Sequence, residues 1–252
     1  MPYHRVIFRL DFMPNFDIIE TPAKTMRIIM EKYDSFLPDL GEDIVQRSIT
    51  AKYEAASGDY IRSITVTPTA ITGLIDTSKG IKRSGVLTDT DLAKLIKIAN
   101  ELRSSYHINN LVRTGLRFYY FSKIAAQEGS VNNAFQRLFD HKFIKSLHAT
   151  LGTVNDLAFV LDGEHEDKIL YHLRSGPYFK GELSRKKYLT INPDKFDENN
   201  DVDLILDVDM YENNHTLNET VSFAKWCDPL VKRANKLIEE LKPMLAKLVG
   251  DN

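Results

Sequence analysis

The chain has 252 residues, 43% of them hydrophobic and 27% charged, with a formal net charge of −2. That length holds one large domain or two of about a hundred residues each, and the hydrophobic fraction permits a full core. Basic and acidic residues are spread along the whole chain, so no segment shows the basic excess of a protein that lives by neutralising phosphates. Nucleic acid is therefore a disfavoured partner. The one cysteine, Cys227, excludes an internal disulfide framework and fits a reducing compartment. No apolar run reaches the length of a membrane span, and the N-terminus lacks the apolar core of a signal peptide. The expected location is the cytoplasm, with no membrane partner.

Val6, Phe8, Leu10 and Phe12 share one face while Arg9 and Asp11 sit on the other, the period of a half-buried strand that Pro14 ends. Thr21-Pro22 marks a helix start, and Met26, Ile29, Met30 and Tyr33 follow at helical spacing. Strand-like runs then cover 45–54, 60–67 and 70–76, the first two joined by a hairpin turn at Ser57-Gly58-Asp59. After the polar stretch 78–85, Thr88 with Asp91 three residues later predicts a helix N-terminus. Leu92, Leu95, Ile96, Ala99 and Leu102 give that helix its buried face. The first half reads β-α-β-β-β-α.

The second half repeats that order. A strand over 110–123 carries Val112, Leu116, Phe118 and Tyr120, and a helix over 130–140 carries Val131, Ala134, Phe135 and Leu138. Strands over 148–161 and 168–174 flank Asp162-Gly163, read as their turn. Residues 175–200 read as a polar surface loop with a short strand at 188–191, followed by a strand over 202–211. A long helix starting at Asp228-Pro229 closes the chain. Leu230, Val231, Ala234, Leu237, Ile238, Leu241, Leu245 and Leu248 line one side of it, with a kink expected at Pro243. The expected architecture is α+β, with two tandem β-α-β-β-β-α units over residues 1–107 and 108–252. Internal duplication explains the repeat, and the sheets are mainly antiparallel and packed by helices.

The most pointed motif is Arg113-Thr114-Gly115-Leu116-Arg117. On a strand, Arg113, Gly115, Arg117 and Tyr119 share a face, and a glycine between two arginines lets a ligand or another backbone come close. Two guanidinium forks on one face suit a carboxylate or phosphate. Asp201, Asp203, Asp207 and Asp209 share a face of the last strand, so the opposite charges are expected to pair across a sheet. Asp207 and Asp209, with Glu212 or Glu219 nearby, also have the chemistry of a divalent-cation site, but no spacing assembles one, and neither metal nor cofactor is expected. His165 and His172 fall in no zinc-binding spacing. Residues 78–85 lack the order of a phosphate loop. Lys79, Lys82 and Arg83, with Arg185, Lys186 and Lys187 beside Tyr188, form two basic loops that suit RNA if they meet on one surface. Cys227, near the start of the last helix, reads as a small buried residue before it reads as a nucleophile.

Arg113-Thr114-Gly115-Leu116-Arg117-Phe118 resembles the R-[IT]-G-L-R-[YF] signature of an uncharacterised bacterial family of sporadic distribution. Leu204-Ile205-Leu206-Asp207-Val208-Asp209 resembles its L-L-D-I-D strand, and Trp226 to Leu237 its last helix. The chain departs from the pattern at Phe118-Tyr119-Tyr120-Phe121, where an asparagine is usual, and at Arg233-Ala234, where a histidine is usual. The resemblance brings no activity with it. Sporadic distribution implies horizontal exchange, as among antiphage-defence or toxin-related systems.

The leading expectation is a non-enzymatic protein that binds another protein, an accessory of such a system, with the apolar stripe of the last helix offering self-association into a homodimer. The competing expectation is a sensor or enzyme for an anionic ligand or nucleotide held by Arg113 and Arg117. RNA binding through the basic loops is the third.

Overall fold

The computed structural model describes residues 3–58, 60–77, 89–122, 146, 149–150, 158–177, 204–217 and 222–250. Its strands are β1 (Arg5–Asp11), β2 (Asp39–Asp43), β3 (Ser48–Glu54), β4 (Ile61–Thr67), β5 (Ala70–Asp76), β6 (Asn110–Ser122), β7 (Phe159–Glu164), β8 (Leu170–Pro177) and β9 (Leu204–Thr216). Its longer helices are α1 (Phe16–Glu20), α2 (Pro22–Tyr33), α3 (Asp89–Ser105) and α4 (Phe223–Gly250). Among the described residues, no helix is long and apolar enough to cross a membrane.

The α+β class is as expected. The described strands, however, form one antiparallel sheet of order β2-β3-β4-β5-β1-β6-β9-β8-β7 rather than one sheet per half. The join is the β1–β6 pair, with Arg5 opposite Tyr119 and Asp11 opposite Arg113. Burial explains why these two strands are central. On β6, Leu116, Phe118 and Tyr120 are buried on one side, and Tyr119 and Phe121 are buried as well. A strand covered on both faces is stable only with neighbours along both edges.

Each half hangs its remaining strands on its own first strand, β5-β4-β3-β2 on β1 and β9-β8-β7 on β6; β2, which the sequence did not announce, gives the first half four strands after its helices instead of the expected three. Setting Arg5 on Arg113 aligns Arg5-Val6-Ile7-Phe8-Arg9-Leu10 with Arg113-Thr114-Gly115-Leu116-Arg117-Phe118. That alignment lays Phe8 on Leu116, which is its own cross-strand partner. The two halves are thus arranged alike about the Phe8–Leu116 pair.

Helices α2, α3 and α4 cover one face, α2 on β3, α3 on β4 and β5, and α4 on β6. Val6, Phe8, Leu10, Leu116, Phe118, Val208 and Met210 from the central strands form one hydrophobic cluster with Leu95, Ala99 and Leu102 of α3 and Phe223, Trp226 and Leu230 of α4. The Tyr3 hydroxyl donates to the Ala234 carbonyl, tying the chain start to α4.

Several boundaries differ from expectation. Ile44 and Val45 are not in a strand but at the exposed tip of the β2–β3 turn, 82% and 93% exposed. Asp43 accepts the Gln46 N–H at 2.9 Å and Arg47 takes φ +50°, which closes the turn there. Asp162-Gly163 is not the β7–β8 turn; both residues lie inside β7, opposite His172 and Tyr171. The turn is at His165–Lys168, where Lys168 has φ +66° and the His165 N–H donates to the Ile169 carbonyl at 2.8 Å. Gly163 earns its place differently: a Cβ there would stand 2.3 Å from the Tyr171 hydroxyl oxygen.

Residues 149 and 150 are helical, against the expected strand over 148–161, and the described strand there is β7; residues 151–157 lie outside the described residues. Helix α4 begins at Phe223 rather than Asp228, because Phe223, Trp226 and Cys227 extend the buried stripe upstream. Pro229 and Pro243 both lie inside it, and Pro229 leaves the Lys225 carbonyl without its usual helical donor. Of the stripe offered for self-association, Leu230, Ala234, Ile238 and Leu241 are buried in the chain's own core, and Val231 and Leu237 pack against it partly buried. The expected helix over 130–140 and strand over 188–191 lie outside the described residues.

Candidate functional site

The face of the sheet away from the packed helices carries the charged residues of the central strands. Strand alternation places Arg5, Ile7, Arg9 and Asp11 of β1 beside Arg113, Gly115, Arg117 and Tyr119 of β6, with Asp207, Asp209 and Tyr211 of β9 next in line.

The expected pairing of the two charged rows is present, and the register shows how it is made. Arg117 lies directly opposite Asp209, yet its Nε and Nη2 reach diagonally to Asp207 Oδ1 and Oδ2 at 2.8 and 2.6 Å. This bidentate fork is the strongest neutralising geometry available to a carboxylate. It raises the Arg117 guanidinium pKa further, chiefly through the hydrogen bond to Asp207 and against the opposing cost of burial. The guanidinium also lies 5.0 Å from the Tyr119 ring centroid, and Tyr119 beneath it is buried.

Arg113 lies opposite Asn213 and reaches to Asp209, its Nη2 donating to Oδ2 at 2.9 Å. On the way it stacks over the Tyr211 ring, 4.4 Å from the centroid. Tyr211 is directly opposite Gly115, and the missing side chain there leaves the lane that Arg113 uses. A Cβ on Gly115 would sit 3.7 Å from Arg113 Cζ and 3.6 Å from Tyr211 Cβ, ordinary contact distances.

Two further residues complete the cluster, both from the polar side of the first strand. Arg9 is opposite Gly115 and Asp11 is opposite Arg113, and Arg9 Nε donates to Asp11 Oδ1 at 2.7 Å. The available signal was the R-x-x-F-R spacing of Arg5 and Arg9, which repeats as R-x-x-L-R in Arg113 and Arg117. Above Gly115 is an open hollow of about 380 Å³ bordered by Ile7, Arg9, Asp11, Arg113, Arg117 and Asp209. The guanidiniums of Arg9, Arg113 and Arg117 are balanced by the carboxylates of Asp11, Asp207 and Asp209, so the cluster is close to neutral.

Other sequence candidates are dispersed. Asp207 and Asp209 are engaged by arginines, and no three His, Cys, Asp or Glu residues among the described ones are placed to hold a metal ion. His172 bonds Asp162 at 2.7 Å and His165 bonds Asp167 at 2.8 Å, each at the surface. The Arg233 guanidinium holds Asp167 at about 2, below the usual carboxylate range. Cys227 is fully buried, which pushes its thiol well up and keeps it protonated, the opposite of an activated nucleophile. Lys79, Lys82, Arg83, Arg185, Lys186 and Lys187 lie outside the described residues.

Two buried groups had no sequence signal. His4 is buried, accepts the Phe121 N–H on Nδ1 at 3.1 Å and has no partner on Nε2 among the described residues. Burial lowers its pKa to about 4. On the helix side, Glu212 Oε2 accepts the Trp226 indole N–H at 3.0 Å and lies 2.8 Å from His215 Nδ1. Residues three apart on a regular strand face opposite ways; Asn214, at φ +54°, turns His215 to the side of Glu212. A separate apolar cavity of about 210 Å³ opens between β8, β9 and α4, floored by Ile169, Leu173, Val208 and Met210.

No family model matches the chain, and no curated protein matches it. The likeness carried by the 113–118 and 204–209 blocks thus adds no activity to the geometry.

Proposed function

We propose that this chain is a non-enzymatic binding protein whose partner is another protein, engaged through the charged face of β1, β6 and β9. The observation that carries the reading is that Arg113 and Arg117 are already held by Asp209 and Asp207. A site built to draw in a free anionic ligand would carry an excess of positive charge, whereas each of these arginines has a carboxylate beside it. Here the ion pairs preorganise a nearly neutral, polar face, the kind of surface that confers register and specificity on protein association. Each described arginine of the face has an acidic neighbour, and none of the described groups there forms the base-and-nucleophile pair of a reaction centre.

We further infer that the two halves descend from one duplicated unit. The mirrored strand order and the matching arginine positions about Phe8–Leu116 support it. The boundary then falls between α3 and β6, as residues 1–107 and 108–252 would have it.

Quantitative affinity capture, followed by calorimetry with the purified partner, tests the binding reading. Arg9 is half exposed, so Arg9→Glu is expected to keep the fold and lose the partner. Capture that is indifferent to Arg9→Glu, or turnover of a substrate by the isolated chain, would overturn it.

A further inference from the structure

Hydrogen-bonding capacity around Gly115 is unevenly spent. Arg117 commits two nitrogens to Asp207. Arg9 commits Nε alone, to Asp11, and Arg113 commits Nη2 alone, to Asp209. The terminal nitrogens of Arg9, and Nε and Nη1 of Arg113, have no partner among the described residues. Both side chains border the hollow, and both are accessible, at 52% and 34% side-chain exposure. The site is therefore rich in donors although its net charge is near zero.

We propose that the hollow is a socket for a carboxylate, supplied by an acidic side chain of the protein partner and held between the forks of Arg9 and Arg113 over Gly115. The proposal rests on the partner-binding reading and names the chemistry of the contact. Three features select this ligand. A carboxylate offers two oxygens in the plane that paired guanidinium forks match. Tyr211 beneath Arg113 and Asp11 beside Arg9 fix the two donors in place, so little side-chain freedom is lost on binding. Asp11 and Asp209 flank the socket and keep its net charge near zero, so no excess of positive charge rewards the second charge of a phosphate. Gly115 supplies the space. At the matching position of the other half, Ile7 fills that space.

The test is an arginine side-chain 15N NMR titration of the full chain at constant ionic strength. Sodium acetate is the probe, with acetamide as its neutral isostere and inorganic phosphate as the competitor class. Acetate is expected to shift the Arg9 and Arg113 Nε–H signals saturably, to leave Arg117 in place, and to outbind both acetamide and phosphate. Gly115→Val, and independently Arg9→Gln should the valine variant fail to fold, are each expected to weaken acetate about tenfold. Shifts that are equal at Arg117, that persist in both variants, or that favour phosphate would sink the proposal. A captured partner whose affinity ignores Arg9→Gln also defeats the socket while leaving the partner-binding reading standing. Acetate binding at these two arginines with no protein captured does the reverse.

Discussion

The two halves of the sheet share a layout and differ in how they fill it. On the helix side, β1 and β5 meet as Phe8 opposite Gly73, with the Phe8 ring lying where a Cβ on Gly73 would be, 2.2 Å away. The matching pair in the second half is Leu116 opposite Met210, one large side chain exchanged for two medium ones. On the charged face, Ile7 opposite Leu74 is answered by Gly115 opposite Tyr211. Arg5 meets Asp76 and Arg9 meets Asp11, whereas Arg113 and Arg117 draw on two acids of β9. On the buried side the space beside Gly73 is filled by the facing Phe8 ring, because a packed interior leaves no void. The open face is not under that constraint, so the loss of one side chain at Gly115 could become a hollow.

Gly73→Ala should have the largest effect on that comparison, because the new methyl meets an aromatic ring hemmed in on every side. A loss of about 3 kcal/mol is expected in urea unfolding. Phe8→Leu, which makes the first half resemble the second, should cost about 1 kcal/mol alone and restore at least half of the Gly73→Ala loss when combined with it. Simple additivity of the two would mean that the Phe8 ring is not what fills the space at Gly73.

The halves should also differ in acid response. His4 is buried, while its counterpart by the same alignment, Val112, is exposed. A histidine held near 4 in the folded state and near its ordinary value when unfolded binds protons preferentially in the unfolded chain. Its stabilising contribution is thus complete above about pH 6.5 and is lost as the pH falls toward 4, by about 2–3 kcal/mol. Stability measured across that window should flatten in His4→Asn, which keeps an acceptor for the Phe121 N–H. An unchanged slope would show that another group carries it.

The ion pairs rank next. Asp207→Asn removes the bidentate partner of Arg117 at a buried carboxylate, and a loss of about 2 kcal/mol is expected. Asp11→Asn, the partner of the half-exposed Arg9, should cost less than about 0.5 kcal/mol. Equal effects on thermal melting would mean that burial does not separate the two halves' arginines.

Much of this organisation is legible in the residues themselves. Period-two alternation marks β1, β5 and β6, and the 3.6-residue stripe marks α3 and α4, because a side chain's face follows from local geometry alone. The opposite charges of Arg113, Arg117, Asp207 and Asp209 announced their pairing for the same reason. Local signals failed where a distant side chain decided the outcome. Asp162-Gly163 has turn chemistry, but the Tyr171 ring lying across Gly163 keeps it in a strand. Asp228-Pro229 has the look of a helix start, but burial of Phe223, Trp226 and Cys227 carries the helix past it.

Sequence alone determined the class of elements and the residues of the charged strands, since both depend on neighbours along the chain. Only the tertiary structure decided that β1 pairs with β6, which merges the two halves into one sheet. That pairing also brings Arg9 and Asp11 against Gly115 and Arg113, from more than a hundred residues away. Which diagonal acid each arginine takes, and so which nitrogens stay open, depends on cross-strand register. Register is set by packing both faces of the sheet at once, and no stretch of sequence carries that information by itself.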